Sequence, residues 1–93
     1  MTMHDEVIAG TAQLLDVRSS EEWAGGHAEN ALHIPIESLL KGETDALKPE
    51  KKIYVYCLSG GRAGLAATYL KGEGFDAESI GGLATWLETS KLK

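Results

Sequence analysis

A chain of 93 residues with 43 % apolar and 25 % charged side chains suits one compact soluble domain and leaves no room for a second. Fourteen acidic against nine basic residues give a net charge of −5, which argues against nucleic acid or an anionic membrane as partner. The lone cysteine, Cys57, excludes an intrachain disulfide, a two-thiol redox pair and a multi-thiolate zinc site, and His4, His27 and His33 have no metal-binding spacing.

The start, Met1-Thr2-Met3-His4-Asp5, has neither the basic nor the apolar region of a secretory leader. The expected location is therefore the cytoplasm, or an extracytoplasmic compartment if a leader has been removed. Gln13–Val17 reads as a short buried strand, and Ser19 to Glu22 has the spacing of a capping box that opens a short helix. Trp23 is expected to anchor that helix in the core, and Gly25-Gly26 to stop it. Leu32–Ile34 is a second strand ended by Pro35, Ile36–Leu40 a helical turn or two, and Lys41–Lys52 a polar surface connection with a turn of helix near Thr44–Leu47.

Ile53–Tyr56, β-branched and aromatic throughout, has the pattern of a central parallel strand, with Cys57 at its carboxyl end. The following helix, Ala63–Glu73, places Ala63, Ala66, Ala67 and Leu70 on one face and ends at Gly74. Phe75–Ile80 returns as a strand, Gly81-Gly82 turns the chain, and Leu83–Leu87 forms a last helix anchored by Trp86. This alternation predicts an α/β domain: a central, mostly parallel sheet flanked by helices on both faces.

Ligands of open α/β sheets bind beyond the carboxyl ends of the strands, where Cys57 lies. In Cys57-Leu58-Ser59-Gly60-Gly61-Arg62 the two glycines let backbone N–H groups converge without an obstructing Cβ. The positive end of the next helix and the Arg62 guanidinium lie beside them. Together these favour a thiolate, and equally a terminal persulfide anion. A lone cysteine is ordinarily a small buried hydrophobe, but such a cysteine needs no glycine pair, arginine and helix start around it.

Three stretches resemble the rhodanese-like domains, from about Leu14 to Trp86. Leu14-Leu15-Asp16-Val17-Arg18, continuing through Glu21-Glu22-Trp23, Gly26-His27, Ala31 and His33-Ile34-Pro35, is similar to the family's first motif. Cys57 through Ala63 resembles its active-site loop, and Gly74-Phe75, Gly81-Gly82-Leu83 and Trp86 its C-terminal motif. The resemblance implies a sulfurtransferase in which Cys57 takes a sulfane sulfur from a donor such as thiosulfate. Cys57 then passes it to cyanide or a thiol by ping-pong kinetics, without metal or organic cofactor. It makes the loop from Leu58 through Ser59, Gly60 and Gly61 to Arg62 the substrate cradle, with Arg62 holding the loop or the bound anion. A protein could also be the sulfur acceptor, and the expected state is a monomer.

Asn30 stands where many members have glycine and is read as its equivalent in a left-handed backbone. His33 replaces a common asparagine, and the region before Leu14 is short, which predicts a less covered sheet edge. Asp16, Arg18, Glu22 and His27 are read as structural. Two other classes remain. A phosphatase or arsenate reductase of this architecture has five residues between cysteine and arginine, whereas here four separate Cys57 from Arg62. A sulfur-carrier module serving a partner protein would have the same sequence features.

Overall fold

In the computed structural model, which describes residues 2–89, the chain runs α1 (Met3–Ala9), β1 (Ala12–Asp16), α2 (Ser20–Ala24), β2 (Ala31–His33) and α3 (Ile36–Leu40). It continues through β3 (Lys52–Cys57), α4 (Gly61–Gly72), β4 (Ala77–Gly82) and α5 (Leu83–Thr89). The four strands form one sheet in the order β2-β1-β3-β4, every pair parallel. Parallel strands bury both faces, and the alternate residues of β1 and β3 do so. Leu15, Ile53 and Val55 pack with Ile36 and Leu39 of α3 and with Ala63, Ala66, Ala67 and Leu70 of α4. On the other face Ala12, Leu14, Tyr54 and Tyr56 meet Val7 of α1 and Trp86 of α5. The expected α/β architecture with helices on both faces is what the chain forms.

The alanine face of α4 is buried as its spacing predicts. The helix closes with Phe75 N–H on Leu70 O at 2.9 Å and Gly74 N–H on Lys71 O at 3.1 Å, around Gly74 at φ 93°. This is a Schellman motif. It also draws Phe75 into the helix end, so β4 begins at Ala77 rather than Phe75. Nor does β4 stop before the glycines: Cys57 pairs with Gly82 across an irregularity between Val55 and Cys57, which carries the strand through Gly81-Gly82. β1 and β2 each lie one residue earlier than expected. The Thr44–Leu47 segment is a single turn closed by Leu47 N–H on Thr44 O, with Leu47 buried beneath it.

The opening residues form an element that the sequence pattern leaves unassigned. The Thr2 hydroxyl accepts from Asp5 N–H while the Asp5 carboxylate accepts from Thr2 N–H, a capping box that starts α1. Gly10 at φ 82° ends the helix, and Val7 is buried against the sheet. The short N-terminal region thus covers part of one sheet face. Asn30 has φ 68°, the left-handed backbone expected of it. No helix among the described residues is long and apolar enough to cross a membrane.

Candidate active site

The chain passes outward from β1 to β2, then returns to start β3 and runs outward again to β4. The strand order therefore reverses between β1 and β3, and the segments leaving their carboxyl ends diverge to open a crevice. Asp16 and Cys57 are the residues at those two ends.

Cys57 is buried, with 1 % of its surface exposed. Its Sγ accepts a hydrogen bond from Gly60 N–H at 2.8 Å. Gly60 can turn its amide back over the sulfur because it adopts φ 106°, a conformation that side chains rarely tolerate. It is the N-cap of α4, whose first intrahelical bond is Gly64 N–H to Gly60 O at 3.0 Å. The N–H groups of Gly61, Arg62 and Ala63 thus precede the helical ladder, at its positive end. Leu58 and Ser59 are exposed.

The loop rests on β4. Gly60 packs on Gly81, where an added Cβ would lie 3.5 Å from the Gly81 Cα. At Gly82 the approach is closer: a Cβ there would stand 3.1 Å from Leu58 C and nearer still to Leu58 O. Real Cβ atoms do not approach backbone that closely, so only glycine permits the loop to sit where it does. The expectation that Gly81-Gly82 merely turns the chain understates their part.

Arg62 is committed to Glu22. Its Nη1 donates to Glu22 Oε1 at 2.7 Å and its Nη2 to Oε2 at 3.1 Å, a two-pronged pair between the active loop and α2. Glu22 Oε1 also accepts from Ser19 N–H and Ser19 Oγ, completing the predicted capping box. The Arg62 guanidinium, followed by the Ser19 amide, pulls the Glu22 carboxyl down to about 2, while Glu22 raises Arg62. Arg62 thus joins the start of α4 to α2.

Below the crevice lies a buried polar cluster. Asp16 receives Arg18 Nε and Nη2, the Arg18 amide and, at 2.6 Å, the Tyr56 hydroxyl. Tyr56 Oη in turn accepts from Ala28 N–H, and Arg18 Nη2 donates to Gly26 O. Burial and the Asp16 carboxylate push the Tyr56 phenol up to about 12. Every buried side-chain polar atom among the described residues has a partner, so Asp16 and Arg18 form scaffold, as the sequence suggests.

Trp23 departs from its expected place in the core. Half-buried, it stacks between the rings of His27 at 3.4 Å and His33 at 4.6 Å. His27 Nδ1–H donates to Trp23 O within the turn that follows α2, and His33 Nε2–H donates to Arg18 O, so His33, stacked on Trp23, ties β2 to α2 and the segment before it. Trp86, by contrast, is buried as expected.

A thiol at the end of a central parallel strand, backed by a helix start and reached by a glycine amide, defines an α/β protein with a candidate sulfur nucleophile. The rhodanese-like domain family matches the chain over residues 2–89. The chain belongs to that family. Among relatives, YqhL of Bacillus subtilis, an uncharacterised protein, is 41 % identical over 63 residues, covering 68 % of this chain and 49 % of its own. A putative sulfur carrier protein, YrkF, also of Bacillus subtilis, is 37 % identical over 62 residues, 67 % of this chain and 33 % of its own. The human single-domain sulfurtransferase TSTD1 superposes with a TM-score of 0.79 and 30 % identity, over 92 % of this chain and 89 % of the human one. The chain spans half or less of the length of both curated relatives. Its family and its sulfurtransferase-related relatives support a sulfurtransferase-type activity.

Proposed function

We propose that the chain carries one sulfane sulfur as a persulfide on Cys57, taking it from a donor such as thiosulfate and passing it to cyanide or a thiol. The observation that carries this reading is the Cys57 Sγ held by Gly60 N–H at the crevice end of β3. In the first half-reaction the Cys57 thiolate attacks the outer sulfur of the donor. The donor S–S bond breaks, sulfite leaves with the bonding pair, and Cys57 persulfide remains. In the second, cyanide or a thiolate attacks the terminal sulfur and Cys57 thiolate leaves. The Gly60 amide and the start of α4 stabilise negative charge at the loop, which is where both the thiolate and the persulfide anion place it. Sulfur enters and leaves in the same oxidation state, so the cycle calls for no redox cofactor.

The human single-domain sulfurtransferase supports the enzyme reading, and the putative sulfur carrier supports a second, in which the acceptor is a protein. Initial-rate kinetics with thiosulfate and cyanide test the first. Parallel double-reciprocal lines, lost in Cys57→Ser, are expected. Turnover that survives in Cys57→Ser would refute it.

A further inference from the structure

Beside the active loop runs a shallow groove of about 540 Å³ that neither the loop motif nor the family match assigns. It begins at Leu58, the residue after Cys57, and its apolar wall is completed by Leu83 and Leu87 of α5. Leu58 and Leu87 keep 58 % and 49 % of their surface exposed. Leu83 follows directly on Gly82, whose contact with Leu58 O fixes the spacing between the loop and α5.

The charges around the groove do not suit a dianion. Arg18 lines the groove and Arg62 lies in the first turn of α4, and each is held in an ion pair, with Asp16 and Glu22 respectively. Glu21, which lines the same groove, is exposed and takes part in no ion pair among the described residues. The charged side chains that line the groove, Arg18, Glu21 and Glu22, sum to one net negative charge, and the Arg62–Glu22 and Arg18–Asp16 pairs leave no cation beside it uncompensated among the described residues. A small anion entering here meets compensated arginines and an uncompensated carboxylate, whereas a hydrocarbon group meets three leucines.

Building on the persulfide reading of Cys57, we propose that the groove binds the uncharged, apolar substituent of an organic persulfide, and that such persulfides rather than thiosulfate are the favoured sulfur donors. The Cys57 thiolate attacks the outer sulfur of R–S–SH and its S–S bond breaks. R–S⁻ leaves and takes a proton from water, and Cys57–S–SH forms. Sulfur is passed without net oxidation or reduction. The R group lies along Leu58, Leu83 and Leu87 while the loop holds the sulfurs.

The test is single-turnover loading of Cys57, followed by intact mass, with benzyl persulfide, methyl persulfide and thiosulfate. The two persulfides share their reacting sulfurs and differ in the substituent; the leaving thiolates differ in basicity, so the change in their ratio on Leu87→Ser isolates the groove. Partial burial of a phenyl ring predicts loading about tenfold faster from benzyl than from methyl persulfide. Leu87→Ser should bring that ratio close to 1, and Glu21→Lys should raise the thiosulfate rate severalfold. Equal rates for the two persulfides in the wild type, or a ratio untouched by Leu87→Ser, would overturn the groove assignment while leaving Cys57 as carrier. Absence of a Cys57 adduct from all three donors would overturn the carrier reading, and the groove assignment with it.

Discussion

Replacing Gly82 by alanine probes the feature that positions the nucleophile. The new Cβ would sit 3.4 Å from Ser59 Cα, 3.1 Å from Leu58 C and closer again to Leu58 O. These are backbone atoms, so no side-chain rotation relieves the clash, and either β4 or the loop must move. Overpacking of this kind costs roughly 1–3 kcal/mol, which for a domain of this size lowers the melting temperature by roughly 5–20 °C. The loop is the softer partner, since Leu58 and Ser59 are exposed. A displacement on the order of 1 Å at a reacting group costs about 100-fold in rate. Gly72→Ala is the control: nothing lies within 4 Å of its added Cβ, and it sits in the last turn of α4. Alanine there should be neutral or stabilising by up to about 1 kcal/mol. Thermal unfolding and the rate of Cys57 alkylation by iodoacetamide read both effects. A Gly82→Ala protein with wild-type melting and wild-type Cys57 reactivity would refute the argument that β4 fixes the loop.

Other expectations follow from the polar contacts. Asp16→Asn removes the charge facing the buried Arg18 guanidinium and should destabilise by roughly 3–5 kcal/mol in denaturant unfolding. Because Glu22 is lowered from its ordinary 4.5 to about 2, its contribution is complete above about pH 4.5 and fades as the pH falls through 2. Glu22→Gln should remove that part of the acid sensitivity, and a carboxyl NMR titration should find the Glu22 midpoint well below its ordinary 4.5. At Asn30, with φ 68°, glycine should be neutral within about 0.5 kcal/mol, whereas valine should cost about 1–2 kcal/mol.

The sequence showed most of the fold because its local signals agree with one another. Ser19 and Glu22 close the capping box their spacing announces, Gly74 ends α4, and Asn30 accepts the left-handed turn. The α1 helix also had its signal, Thr2 with Asp5 and then Gly10, but a seven-residue helix with one buried residue carries too little apolar pattern to stand out. What was not legible depends on tertiary approach. Nothing local pairs Glu22 with Arg62, forty positions apart, or sets Gly82 against Leu58. Trp23 was misplaced for the same reason: composition marks a tryptophan as core, but here two histidine rings, one from the following turn and one from β2, take up its faces. For the site, Cys57 and its glycine loop were evident from motif and position, while the commitment of Arg62 to an ion pair emerged only with the structure.

The central claim is that Cys57 holds the transferred sulfur, and intact mass measures it most directly. After incubation with thiosulfate and, separately, with an organic persulfide, the protein should gain one sulfur, about 32 Da, through nucleophilic attack by Cys57. Cyanide or a thiol should reverse the gain, and Cys57→Ser should not show it. A protein that takes up no sulfur from either donor, or a Cys57→Ser variant that takes it up as well as the wild type, would contradict the account.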